Sequence, residues 1–85
     1  MKLLDYIIFP WMIEDLHLSG DALIAFAVIN THKEYRYGYD SLARILLCNR
    51  HGAEMVVGYL IRRGLVGIRR VQENGICSTI LTSLR

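Results

Sequence analysis

Cysteine and long apolar runs are both scarce in this 85-residue chain, and each scarcity removes a class of protein. The two cysteines, Cys48 and Cys77, stand alone, with no C-x-x-C pair to suggest a redox centre or a zinc ribbon. A protein-held zinc ion takes four clustered ligands, and His17, His32 and His51 have no metal-binding spacing either. No metal and no cofactor is therefore expected, and the thiols are expected to be small buried side chains in a reducing compartment. A membrane helix needs roughly 18 consecutive apolar residues, whereas the longest run here, Ala22–Ile29, has eight. Lys2 and two leucines begin the chain, but Asp5 interrupts any signal-peptide core. The expectation is a cytoplasmic protein with no membrane partner. Also missing are the phosphate-binding G-x-x-x-x-G-K, the dinucleotide-binding G-x-G-x-x-G and the nucleophile-elbow G-x-S-x-G patterns. Carboxylates are few and scattered, so the sequence points away from an enzyme and from a small-molecule substrate.

What is present is mostly apolar: 53% of residues are hydrophobic against 21% charged, and mean hydropathy is +0.29. A chain of this length makes one domain, 1–85, because neither half could bury a core of its own. Small domains have much surface for their volume, so some apolar residues should stay exposed unless a partner covers them. That is a reason to expect a homodimer. The net charge of +2 conceals a division: residues 1–40 carry three bases against six acids, and residues 41–85 seven bases against Glu54 and Glu73. A basic half makes nucleic acid the first partner to consider.

Along the chain, Tyr6–Phe9 reads as a short extended segment. Pro10 suits the first turn of a helix, where its missing N–H costs nothing. Trp11, Met12, Ile13 and Leu16 would give that short helix an apolar side, Glu14 and Asp15 would face solvent, and Trp11 is expected to anchor the core. Ser19 is a credible N-cap for a helix running through ALIAFAVINTH, apolar on nearly every side and therefore central. Tyr35, Tyr37 and Tyr39 alternate with Arg36 and Gly38, the period of a strand. Such tyrosines could stack nucleic-acid bases, but with no denser basic interleaving than Arg36 a packed strand face is the expectation.

From Asp40 to Val66 the chain reads as a short helix, a tight turn and a longer helix. Leu42, Ala43 and Leu46 share one face of the first, with Asp40 or Ser41 as N-cap and an end near Leu47. The second is capped by Asn49, buries Ala53, Val56, Val57, Leu60 and Ile61, and stops at Gly64, a good left-handed terminator. Beyond it, LVGIRRVQ and ICSTILTSL flank Glu73-Asn74-Gly75, and Asn-Gly between two β-rich runs signals a hairpin. The tyrosine strand is the natural third partner. The predicted class is α+β, a winged helix-turn-helix of three main helices with a small antiparallel sheet.

In a helix-turn-helix the second helix enters the major groove and its N-terminal residues meet base edges. His51, Glu54, Met55, Gly58 and Arg62 fall on its outward side, with Arg50 beside them. Arg50 is the best candidate for base contact, since Arg can bond guanine bidentately. His51 could donate to a base or a phosphate. Glu54 either accepts from cytosine or is a solvated helix charge. Phosphate contacts are expected from Arg44, from Arg62 or Arg63, and from one of Arg69 and Arg70, which on alternate strand faces cannot point the same way. Double-stranded DNA is the implied partner. The same fold can instead serve as a protein-interaction or dimerisation module, which the modest charge and high apolar content favour.

The run S-G-D-A-L-I-A-F-A-V-I (Ser19–Ile29), Tyr37-Gly38, L-A-x-x-L (Leu42–Leu46), Cys48-Asn49 at the helix cap and L-I-R-R-G-L-V (Leu60–Val66) resembles winged helix-turn-helix domains of bacterial and mobile-element origin. It is most similar to the N-terminal domains of plasmid and phage replication initiators and to related small regulators. With Trp11-Met12 the resemblance covers most of the chain, and it implies duplex DNA binding in transcription regulation or replication initiation. Three residues depart from the pattern. Leu47 stands in the turn where Gly is preferred, and Gly52 and Gly58 occupy helix positions where each costs up to about 1 kcal/mol relative to Ala.

Overall fold

Punctuation by a few residues sets the element boundaries. The computed structural model describes residues 6–85, and the stretch in which Asp5 breaks the first apolar run lies outside them. Pro10 opens α1 (Pro10–Glu14), followed by α2 (Gly20–His32), β1 (Glu34–Tyr35), α3 (Gly38–Leu46), α4 (Arg50–Arg62), β2 (Val66–Glu73) and β3 (Ile76–Ser83). Together these make an α+β arrangement of four helices and one antiparallel sheet, with strand order β1-β3-β2. Among the described residues no helix is long and apolar enough to cross a membrane.

At the centre lies α2, with Ala25, Phe26, Ala27, Val28, Ile29 and Asn30 consecutively buried. Six buried residues in a row leave no solvent face over that stretch. The helix packs against α1, α3, α4, β1 and β3, as its all-round apolar pattern requires. Burying a large side chain such as Phe26 or Ile29 completely stabilises by about 1.5–3 kcal/mol. The one polar residue in the run, Asn30, accepts a 2.8 Å hydrogen bond at Oδ1 from Ser83 Oγ, tying the last strand to the central helix. Ser19 takes the capping position in extended backbone, but its hydroxyl makes no capping bond. Gly20, at φ +57°, bends the first turn away from the regular geometry such a bond needs.

At the N-terminal end Met12 and Leu16 are buried, while Ile13 is 50% exposed and lies outside the apolar side expected to include it. Trp11 is half-buried at the edge of the core, stacked on Phe9 and edge-on to Phe26 at 6.1 Å. Ile7, Ile8 and Phe9 are exposed, so part of the chain's apolar content lies outside the core.

The tyrosine strand is corrected. Only Glu34 and Tyr35 pair with β3, opposite Thr82 and Leu81. Gly38, at φ +80°, turns the chain directly into α3, which therefore begins before Asp40. Asp40 sits in the first helical turn, and Tyr37 takes the cap position without a side-chain cap bond. The three tyrosines meet three fates: Tyr35 is fully buried, Tyr39 half-buried, Tyr37 exposed. Tyr35 and Ser41 share a buried 2.7 Å hydroxyl pair; burial raises the phenol above its ordinary pKa, opposed in part by Ser41.

The two helices after it end in the same way. At α4, Gly64 in the left-handed region donates to Ile61 O and Leu65 N to Leu60 O, the paired closure that glycine favours. At α3, Leu47 (φ 57°, ψ 42°) donates to Arg44 O and Cys48 N to Ala43 O. Leucine thus holds the glycine position, and its side chain is 92% exposed. The start of α4 follows expectation, Asn49 Oδ1 accepting from Gly52 N at 2.8 Å. Val56 and Ile61, expected buried on α4, are only half-buried, whereas Ala53, Val57 and Leu60 lie in the core. Asn74 and Gly75, both at positive φ, turn the hairpin, with Glu73 opposite Ile76. Cys48 and Cys77 are both exposed free thiols, not buried ones. Cys48 lies in the turn between α3 and α4, and Cys77 stands at the outer end of the hairpin beyond the reach of the core.

Candidate functional site

Asn49 fixes where α4 starts, and the helical period then sorts its side chains. Ala53, Val57 and Leu60 go inward, while Arg50, His51, Glu54, Met55, Tyr59 and Arg62 stay exposed. Met55 is 59% exposed, a thioether presented to solvent in the middle of the outward face. Gly58 is half-buried, with Arg62 Nη1 near the place its Cβ would occupy. Tyr59 and Arg63 pair on the same side, Arg63 Nη1 donating to Tyr59 Oη at 3.2 Å with the guanidinium over the ring at 5.8 Å. Arg44 is exposed near the end of α3.

Arg50 is more constrained than an isolated surface arginine. Its Nε donates to Glu54 Oε1 at 3.1 Å, its Nη1 stands 3.8 Å from Asp40 Oδ2, and its guanidinium lies over the Tyr39 ring at 5.9 Å. The Glu54 contact is an i,i+4 pair on an exposed helix, worth a few tenths of a kcal/mol. Tyr39 and Asp40 come from the first turn of α3, so the pairing depends on how α3 meets α4.

The hairpin separates its two arginines. Residues opposite each other in an antiparallel ladder share a face. Val66, Ile68 and Arg70 stand with Ser83, Leu81 and Thr79, and Leu81 also meets Tyr35. Since Val66, Leu81 and Tyr35 are core residues, this is the face toward the helices, and Arg70 lies on it. Burial raises the Tyr39 pKa and the Glu54 charge raises it further, while Arg70 and Arg50 lower it, so all three charges act on one ring. Arg69 goes to the opposite face. There its Nη2 bonds Glu34 Oε2 at 3.1 Å, an oxygen that Arg36 Nη2 also reaches at 3.0 Å.

Between the start of α3, Arg50 and the outer half of β3 lies an open cleft of about 260 Å³, its walls including Tyr39, Asp40, Cys77 and Thr79. The structure thus joins Arg50 to Glu54 and Tyr39, puts Arg70 on the helix-facing side of the hairpin, places His51, Met55 and Arg62 along the same exposed side of α4, and sends Arg69 to the opposite face. Sequence reasoning weighed Tyr39 only as a strand residue or a base-stacking ring and Asp40 only as a helix cap, and it passed over Tyr59. The Arg50–Glu54 contact was open to it through i,i+4 spacing alone; the Tyr39 contact was not, because the strand assignment put that ring in a sheet. Among the described residues no three His, Cys, Asp or Glu side chains are grouped to hold a metal ion. The surface so built offers fixed donors, acceptors and one apolar tip on a single helix face, with cations on both flanks. No family model matches the chain, and neither a curated protein nor a solved structure does.

Proposed function

We propose that the chain is a winged helix-turn-helix protein that binds duplex DNA, with α4 in the major groove and the β2–β3 hairpin as the wing, acting in transcription regulation or replication initiation. One observation carries the reading: Arg50 stands at the start of an exposed helix face with its guanidinium over the Tyr39 ring, and Arg70 lies on the side of the hairpin that faces the helices. A helix that offers hydrogen-bonding side chains, flanked by a cationic strand pair, suits base edges with phosphates on either side. Arg50, His51, Glu54 and Met55 are the groove-facing candidates, Met55 suiting a thymine methyl. Arg44, Arg62 and Arg70 are the phosphate-facing ones. Arg69 takes no part in this assignment, because it is tied to Glu34 on the far face.

Fluorescence anisotropy with a labelled random-sequence duplex, titrated at several salt concentrations, tests the reading. Three to four phosphate contacts should give a log–log salt slope of roughly −3. Replacing Arg50 and His51 together by Ala should weaken binding to a preferred duplex by about tenfold or more. Absence of binding to duplex at low salt ends the proposal. A second reading, in which this face binds protein, is favoured by the exposed Leu47, Met55 and Tyr59 on or beside α4. It calls for a complex, with itself or another protein, in which the Met55 surface becomes protected from hydrogen exchange.

A further inference from the structure

We infer that Glu54 is a positioning residue for Arg50: it holds the Nε edge of the guanidinium so that the two terminal nitrogens face outward as a fork for guanine. The inference rests on the duplex-DNA reading above and names what the start of α4 would recognise, a G·C pair in the major groove. Asn49 Oδ1 anchors the first turn through Gly52 N at 2.8 Å, which fixes the backbone that carries Arg50. Three of the guanidinium's possible freedoms are then restricted. Glu54 Oε1 takes the Nε–H at 3.1 Å, Cζ lies over the Tyr39 ring 5.9 Å from its centroid, and Asp40 Oδ2 stands 3.8 Å from Nη1. That last separation is beyond hydrogen-bond reach, so the terminal N–H groups retain their donors for another acceptor.

Guanine presents O6 and N7 side by side in the major groove, and an arginine meets both with its terminal fork. An arginine bonded through a terminal nitrogen has already committed one of the four terminal N–H groups; one bonded through Nε keeps all four. A long, freely rotating side chain loses rotamer freedom when it docks, and holding it beforehand lessens that loss. Glu54 also sets a limit. Its charge repels phosphates, so an Arg50 clasped by Glu54 contributes less to indiscriminate backbone binding than a free one would. The pair therefore trades general affinity for selectivity, which gives a glutamate on the exposed helix face a use beyond solvation.

Two substitutions separate geometry from charge. Glu54→Gln removes the charge but keeps an oxygen that can accept from Nε; Glu54→Ala removes both. Preferred duplexes are selected from a randomised 20-bp pool with the parent protein, and affinities are then compared for the selected duplex and for one with the preferred G·C pair changed to A·T. For the parent the ratio should be about tenfold or more, and Arg50→Ala should bring it close to one. Glu54→Ala should lower the ratio by about twofold, the effect an exposed i,i+4 pair can have, Glu54→Gln should keep most of it, and both should bind random duplex more tightly than the parent. Equal ratios in the parent and Glu54→Ala overturn the positioning role, as does a guanine preference that survives Arg50→Ala, while leaving DNA binding itself intact. A parent that neither enriches any sequence nor binds random duplex at low salt overturns the DNA reading and this inference with it. Helical circular dichroism of each variant confirms that the exposed substitutions leave the fold unchanged.

Discussion

Leu47 and Gly64 close successive helices with the same two backbone bonds, yet only one of them suits the left-handed conformation. A side chain with a Cβ in that region crowds the neighbouring carbonyl, at roughly 1–2 kcal/mol for an ordinary L-residue. Nothing in the contacts of Leu47 offsets this, because its side chain is 92% exposed. Leu47→Gly should therefore stabilise the protein by about 1 kcal/mol, reduced somewhat by the extra freedom glycine gives the unfolded chain. For a domain of this size that corresponds to a rise in Tm of about 4–8 °C. Thermal unfolding followed at 222 nm measures it, and a melting temperature at or below the parent's would show that the turn is not strained by its leucine.

Within α4 the two glycines look alike by propensity and differ in surroundings. A Cβ at Gly58 would meet only the mobile tip of Arg62 at 3.4 Å. At Gly52 it would stand 3.1 Å from Cys48 Sγ, 3.2 Å from Cys48 Cβ and 3.4 Å from Asn49 Oδ1. Those neighbours are held by the Cys48 N to Ala43 O bond and by the N-cap itself. Gly58→Ala should accordingly gain up to about 1 kcal/mol of stability, while Gly52→Ala gains nothing or loses, because it pushes against the cap. Urea denaturation of the two variants side by side checks this, and equal gains would mean the turn yields freely. The contrast also marks what the sequence could disclose. Asn49, Gly64 and Asn74-Gly75 act through their own backbones, so the start and end of α4 and the hairpin were legible from local chemistry. The tyrosines were not: Tyr35 is a strand residue because Leu81 lies opposite it, and Gly38, at positive φ, turns the chain into α3 two residues before Asp40. The exposed cysteines misled for a similar reason, since residue type predicts burial on average and not at a turn or a hairpin end. Of the candidate site, the outward face of α4 was readable from period alone, and the clasp on Arg50 required knowing how α3 meets α4.

At the scale of the molecule, the excess of positive charge in residues 41–85 becomes useful only through its division between faces. Arg69 and Arg70 are adjacent in sequence and carry the same charge, but the strand pleat sends them to opposite sides of the sheet. Arg69 joins Arg36 on a single Glu34 oxygen, where an acid from the N-terminal half offsets part of the basic excess. Arg70 remains on the helix-facing side, where its charge is felt by Tyr39. If that side meets the duplex, the two arginines must differ in their effect on binding despite equal contributions to net charge. Arg70→Ala should weaken binding about equally across duplex sequences and reduce the magnitude of the log–log salt slope by about one, the loss of a single phosphate contact. Arg69→Ala should leave the slope unchanged and lower affinity only slightly, through the long-range field that salt screens. Anisotropy titrations of both variants over the same salt series decide the matter. Equal slopes for the two would mean that net charge governs binding, whereas a reduced slope for Arg69→Ala alone would place the duplex against the opposite face of the sheet.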